Sequence, residues 1–305
     1  MRVRGAGKVK RAGGLRRSEW KWAYLFIALN LIGFLTFSFG PILTSLVMAF
    51  MNWSILKPPE FTGLANIERL LDDDQFFLTL GNTAFYVAGS VALVTVFSFL
   101  IAVLLNQPIR GRTIFRTVFF LPSVTLIVSV AMIWQWLLNP QGGVLNYLLQ
   151  LVGVPQPQWL ADRQLAMPTL IMISVWQHVG YYSIIYLAGL QGIPREYYEA
   201  AEIDGASSLQ RMMRITVPLI AQTTFFIVVT SLISSWQVFE LPYLLTGGGP
   251  ANATRTLMMY TYSQAFGSFR MGYASLISWV MFLLIFIVTI IQWMLARRRE
   301  HMVEM

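Results

Sequence analysis

Six runs of apolar residues, each long enough to cross the hydrocarbon core of a bilayer, constrain this chain more than any other feature. They fall at residues 22–50, 78–105, 118–138, 168–190, 218–246 and 273–295, and about 20 apolar residues suffice for one helical crossing. Lipid offers no partner to a backbone N–H or C=O, so each run must satisfy its own by forming a helix. The pattern predicts an all-α, polytopic membrane protein with six transmembrane helices. Charged residues make up only 12% of the 305 and hydrophobic ones 56%. Soluble domains are about 25% charged, so a water-soluble globule is excluded. The first run is too long for the apolar region of a signal peptide and is followed by no prompt small-residue cleavage site, which predicts a retained helix. Its Gly40-Pro41 pair predicts a kink, because proline removes a backbone hydrogen bond.

The basic residues then orient the spans. Arg2, Arg4, Lys8, Lys10, Arg11, Arg16, Arg17 and Lys21 precede the first run, and Arg110, Arg112 and Arg116 follow the second. Arg195, Arg211 and Arg214 follow the fourth, and Arg297, Arg298 and Arg299 follow the sixth, giving 17 on one side. The other connections hold five, Lys57, Arg69, Arg163, Arg255 and Arg270, beside the acidic run Asp72-Asp73-Asp74. Lys and Arg are retained on the cytoplasmic face during insertion. Both termini are therefore expected in the cytoplasm, which requires an even number of spans. The net charge of +8 is explained by this asymmetry, and a nucleic-acid partner is not expected.

Enzymatic signatures are missing. The chain has no cysteine, which removes disulfides, thiolate metal sites and thiol catalysis. Gly247-Gly248-Gly249 is followed by Pro250, so no lysine is placed to reach a nucleotide phosphate. Its two histidines, His178 and His301, form no metal-binding cluster. A serine–histidine intramembrane protease built on His178 and the serines of the fifth run is the enzyme alternative, but no glycine elbow surrounds any of those serines.

Between the fourth and fifth runs lies a charged connection from Gln191 to Val217. Pro194 suits the first turn of a helix, good helix formers run to Ile203, and Gly205 suits a left-handed stop. A second short helix is expected from Ser207 toward Ile215. Glu199-Ala200-Ala201, then Gly205, then Ile215 and Pro218 resemble the E-A-A…G…I-x-L-P pattern of importer-type ABC permeases, with Val217 in place of the usual leucine. Leu245-Thr246-Gly247-Gly248-Gly249-Pro250, Ala253-Thr254 and Thr256-Leu257, together with Phe61, Gly63, Leu64 and Asn66 ahead of Asn82-Thr83, are similar to the maltose and sn-glycerol-3-phosphate branch of that family.

The resemblance implies the type I ABC importer permease fold, in a bacterial or archaeal inner membrane. It implies a transmembrane domain over residues 78–295 with a coupling loop at 191–217, preceded by a basic tail (1–21) and by the first helix with its external loop (22–77), and followed by a tail (296–305). It also implies a non-catalytic chain without a cofactor of its own, ATP and Mg being held by two cytoplasmic ATPase subunits. A second homologous permease and an extracytoplasmic solute-binding protein would complete the importer, and a sugar, polyol or glycerol phosphate would be its solute. Glu199, Ala200, Ala201 and Gly205 would lie at the ATPase contact.

Polar residues inside a span are default candidates for a pathway. Ser174, Gln177, His178 and Tyr181 recur at intervals of three and four in the fourth run and are expected on one helix face. Ser231, Ser234, Ser235 and Glu240 are their counterparts in the fifth, and related permeases build their solute site from these two helices. Helix packing is the competing role for the serines, and Trp134, Trp136, Trp176 and Trp236 are expected to pack. An ion-coupled secondary transporter using Glu240 or His178 is the remaining alternative. Such a transporter has no use for a helix shaped to enter an ATPase cleft.

Overall fold

The computed structural model describes residues 17–54, 57–108 and 110–303, so the basic tail from Arg2 to Arg16 lies outside the described residues. The helices in order are α1 (Arg17–Phe34), α2 (Gly40–Met48), α3 (Ala65–Leu71), α4 (Asp74–Asn106), α5 (Arg112–Val124), α6 (Ile127–Leu137), α7 (Val144–Leu151) and α8 (Ala166–Gln191). They continue as α9 (Arg195–Ile203), α10 (Ser208–Arg211), α11 (Val217–Leu219), α12 (Ala221–Trp236), α13 (Glu240–Thr246), α14 (Leu257–Tyr262) and α15 (Met271–Val303). Four stretches are long and apolar enough to cross a membrane unbroken, at Trp22–Met48, Asp74–Asn106, Ala166–Gln191 and Met271–Leu295. Two bent pairs, α5 with α6 and the α10–α11 segment with α12, bring the number to six when each counts as one span.

Proline explains most of the departures from six straight rods. The pair α5 and α6 bends by 99° and the pair ending in α12 by 64°, where the apolar pattern predicted continuous spans. Pro122 lies in the last turn of α5, and the chain then runs extended through Thr125 and Leu126. Five-residue π-helical turns at Leu35–Phe39 and Met212–Thr216 each end just before an X-Pro pair, Gly40-Pro41 and Val217-Pro218. A proline ring collides with the carbonyl four residues back, and a widened turn relieves the collision. The kink predicted at Gly40-Pro41 thus takes the form of a π turn within one 27-residue helix.

The fifth predicted span, 218–246, does not continue to Thr246. Its helix α12 stops at Trp236, and α13 begins afresh at Glu240. Pro242 is the cause we identify, since in an unbroken helix its ring would meet the Val238 carbonyl. The break frees that carbonyl to accept from Thr256 Oγ1 at 2.9 Å.

The bundle is built inside-out relative to a soluble protein. Along α4, Thr79, Thr83, Val87, Ser90, Val94, Ser98 and Ala102 follow one another at three- and four-residue steps, and all are buried. Phe85, Leu93, Phe97, Leu100 and Leu104 face outward. Small residues let helices approach closely where lipid supplies no hydrophobic drive between them. The hydroxyls of this seam are satisfied by carbonyls, Thr83 by Thr79 at 2.8 Å, Ser90 by Tyr86 at 2.7 Å, and Ser98 across the interface by Val179 of α8 at 3.1 Å. The partner α8 is the most buried span. At Gly180 a Cβ would stand 1.8 Å from the Phe119 carbonyl oxygen, so only glycine lets α5 cross α8 there.

One end of the bundle is closed by a polar clamp. A two-stranded antiparallel hairpin, β1 (Met51–Ser54) and β2 (Lys57–Phe61), pairs Met51 with Phe61 and adds the one sheet among the described residues. Asn66 Nδ2 donates to the carbonyls of Ala49 and Met51 at 2.9 and 3.0 Å. Asp73 caps α4 by accepting from the N–H groups of Gln75 and Phe76. Its other oxygen accepts from the hydroxyl of Tyr260 and, at 2.6 Å, from that of Tyr273. Burial raises the Asp73 pKa, but these hydrogen bonds outweigh it and hold the carboxyl below its ordinary value. Burial, reinforced by the hydrogen bond to Asp73 and by its charge, pushes Tyr260 up to about 12. Arg69 and Arg255 lie over the Tyr273 and Tyr260 rings at 5.1 and 5.2 Å.

Candidate functional site

A cavity of about 550 Å³ opens between α4, α8 and α12. Both irregular segments described above reach it, with Thr125 and Ile127 from the bend between α5 and α6 and Gln237 to Leu241 from the break before α13. Non-helical backbone at membrane depth is tolerated where it lines a polar cavity, since its free N–H and C=O groups need partners. The same interruptions that spoil the straight spans therefore shape the walls of the site.

Seven of the eight predicted pathway residues line this cavity: Ser174, Gln177, His178, Ser231, Ser234, Ser235 and Glu240. Tyr181 does not. The face of α8 turned inward is centred on Ser174, His178 and Tyr182, one residue round from the predicted stripe, while Tyr181 is 47% exposed and meets Tyr182 edge-on at 5.2 Å. Sequence reasoning also missed Tyr86 and Ser90, which enter from α4. The four-residue step from Ser174 through His178 to Tyr182 was the signal available for Tyr182. None of the four tryptophans lines the cavity: Trp134 meets Trp176 edge-on at 5.4 Å, Trp236 is buried and Trp136 is exposed.

The polar groups in the cavity differ in how far the protein satisfies them. The Ser90 and Ser235 hydroxyls meet at 3.2 Å, joining α4 to α12, and Ser231 donates to the Val228 carbonyl at 3.2 Å. His178 Nδ1 lies 2.8 Å from the Ser174 carbonyl, which can only accept. The Nδ1 proton is therefore directed at that carbonyl. Gln177 is only 6% exposed, and its Oε1 has no partner among the described residues. No group of metal-binding side chains occurs among the described residues.

The loop that follows α8 folds as two short helices. Pro194 is the N-cap of α9, one position before its predicted place, and Gly205 adopts φ +75° beyond its end. The Gly205 N–H bonds to Glu202 O at 3.1 Å and the Ala206 N–H to Ala201 O at 2.9 Å, closing the helix through a left-handed residue that glycine adopts without strain. Ser207 caps α10 in a reciprocal capping box with Gln210. Tyr198 and Thr216 hydroxyls meet at 2.9 Å, and Arg211 pairs with Glu202 at 3.1 Å. Glu199 and Ala200 are exposed, Ala201 is half-buried, and Ile203 is 87% exposed. The loop lies at the end of the bundle opposite the Asp73 clamp. With its amide turned so that oxygen faces the guanidiniums, Gln191 accepts from Arg112 at 2.7 Å and Arg116 at 3.2 Å, so the two predicted basic connections share one end.

Residues 94–301 match the family described as binding-protein-dependent transport system inner membrane component. The chain is 37% identical over 274 residues to the "Probable ABC transporter permease protein YurN" of Bacillus subtilis (strain 168), covering 88% of this chain and 94% of that protein. It is 34% identical over 286 residues to the lactose transport system permease protein LacF of Rhizobium radiobacter, covering 92% and 94%. Its fold is similar to a chain in the crystal structure of a bacterial alginate ABC transporter in complex with alginate pentasaccharide-bound periplasmic protein. The TM-score is 0.81 at 25% identity, with 92% of this chain and 96% of that chain covered.

Proposed function

The chain belongs to the binding-protein-dependent transport system inner membrane component family, the permeases of ABC importers, and from that premise we propose that it carries a sugar, polyol or glycerol phosphate through the cavity between α4, α8 and α12. The observation that carries this reading is the position of that cavity on α8. One helix presents Ser174, Gln177 and His178 to the cavity and, at its other end, runs through Gln191 into the α9–α10 loop. A rigid-body movement of α8 driven from the loop would reach the cavity walls directly. The lactose permease and the alginate transporter among the similar proteins support a carbohydrate-like solute.

In this reading the chain is not itself an enzyme. Two cytoplasmic ATPase subunits bind ATP and Mg and dock on the α9–α10 loop through Glu199, Ala200, Ala201 and the turn at Gly205. A second homologous permease completes the transmembrane pathway, and an extracytoplasmic solute-binding protein delivers solute at the hairpin end. Both termini lie in the cytoplasm and the hairpin end outside. Alternating access follows, with the cavity closed toward one face while open to the other.

Reconstitution in proteoliposomes tests this. The purified chain alone is expected to show no ATP hydrolysis, and uptake of labelled sugar should require the partner permease, the ATPase subunits, the binding protein and ATP together. ATP turnover by the single chain, or uptake driven by a proton or sodium gradient without the ATPase, would overturn it.

A further inference from the structure

We infer that the cavity takes an uncharged polyhydroxylated solute and turns away anionic ones, with Glu240 as the discriminating residue; the inference rests on the proposal that solute passes through this cavity. Among its lining residues no Lys or Arg appears, and Glu240 is the one carboxylate. Glu240 makes no ion pair among the described residues. The arginines nearest in function to an anion clamp are engaged elsewhere: Arg255 donates to Ser263 at 2.6 Å beneath the Tyr260 ring, and Arg163 lines a separate cavity of about 230 Å³.

The neutral groups point the same way. Gln177 Oε1 is a buried acceptor without a donor among the described residues, and the His178 Nδ1 proton is taken up by the Ser174 carbonyl. A solute meeting Glu240 must bring donors, while the Gln177 amide carries both an acceptor and N–H donors. The serine and tyrosine hydroxyls of Ser174, Ser234 and Tyr182 both donate and accept. A sugar hydroxyl supplies a donor and an acceptor at each position and matches this mixture. The ionised group of a sugar phosphate or uronate brings acceptors only, must shed its hydration, and finds no Lys or Arg in the lining to receive it. The cavity volume lies within the ~300–1,000 Å³ range of small-molecule sites. An acidic polysaccharide such as the alginate carried by the structurally similar transporter would meet the Glu240 charge and no cation of this chain.

The test uses the assembled importer, this chain with its partner permease and ATPase subunits, purified without binding protein. Galactose, lactose and raffinose are titrated against galacturonate, digalacturonate and galactose 1-phosphate, with binding read by ligand-observed NMR. At least one neutral sugar should bind, with its anionic counterparts weaker by about tenfold or more, and Glu240→Gln should narrow that gap. An anion binding as tightly as its neutral match, or a gap that Glu240→Gln leaves unchanged, would overturn the inference while leaving the site in place. Binding of none of the six would remove the site assignment itself, and the inference with it.

Discussion

At the hairpin end of the bundle, Asp73 accepts from Tyr260 and Tyr273, Thr83 Oγ1 accepts from the Leu257 N–H at 2.8 Å, and Asn82 donates to the carbonyls of Asn252 and Arg255 at 2.8 and 3.0 Å. At the opposite end the α9–α10 loop holds itself with one ion pair, Arg211 to Glu202, in which the Glu202 side chain is 72% exposed, and it displays Ile203, Leu209 and Met213 to the surroundings. The first region uses its polar groups to fix itself across long sequence separations. The second leaves charged and apolar groups exposed together, available to the ATPase contact proposed above. Polar residues in this molecule therefore tie segments together at one end and stay largely on the surface at the other.

The largest expected effect breaks that contrast at the clamp. Asp73→Ala leaves two buried tyrosines without their acceptor and uncaps α4, at a cost of about 3 kcal/mol. Glu202→Ala should cost about 0.5 kcal/mol or less, as exposed pairs do. Thermal unfolding of the two variants in the assembled importer compares them, and equal losses would erase the distinction. Acid should act on the same carboxyl. Its folded pKa is held below the ordinary 3.8, so its stabilising contribution is complete above that value and is lost as pH falls through the lowered one. Asp73→Asn should flatten this acid dependence, and an unchanged pH profile would show that the clamp does not depend on the charge.

A smaller effect on stability, with a large one on transport, is expected in the loop. Nothing lies within 4 Å of where a Cβ on Gly205 would sit, so Gly205→Asp is opposed by the left-handed backbone at about 1–2 kcal/mol and by whatever docks against it. Glu199→Lys changes an exposed charge and should hardly alter folding. Both variants should release the ATPase subunits on purification, or hold them while ATP is hydrolysed without uptake. Assembly and transport at wild-type levels in both would reduce the loop to a solvated connector.

The loop was legible in the sequence because its signals are local. Proline at the start, glycine at +75° and serine at the second cap each act within a few residues, and the helices form where those residues place them. Six crossings were legible because lipid forces long apolar helices. The interruptions were less so: Gln237 and Glu240 lower the hydropathy between Trp236 and Leu241 without marking a helix end, and the reach of Pro242 back to Val238 explains the break. The clamp was not legible, because Asp73 meets Tyr260 and Tyr273 across 187 and 200 residues. On α8, periodicity pointed to the stretch that lines the cavity, but the contacts with α4 and α5 set its rotation and moved the inward face from Tyr181 to Tyr182. The close crossing at Gly180 permits that placement.

The smallest effects belong to the cavity, which lies between the two ends and combines their habits. Ser90 and Ser235 satisfy each other there, whereas Gln177 Oε1 is left open. Gln177→Ala should therefore cost little stability, because no internal hydrogen bond to its oxygen is lost. It should still lower uptake, since one solute hydroxyl loses its acceptor. A neutral hydrogen bond contributes about 0.5–1.5 kcal/mol net, which corresponds to roughly 2- to 12-fold in an equilibrium. Tyr182→Phe should fall in the same range. Tyr181→Ala, one position away and turned outward, should leave uptake and selectivity as they were. Initial uptake rates across a range of solute concentrations separate these outcomes. A loss at Tyr181 equal to that at Tyr182 would mean that α8 turns during transport, presenting both tyrosines to the solute in succession.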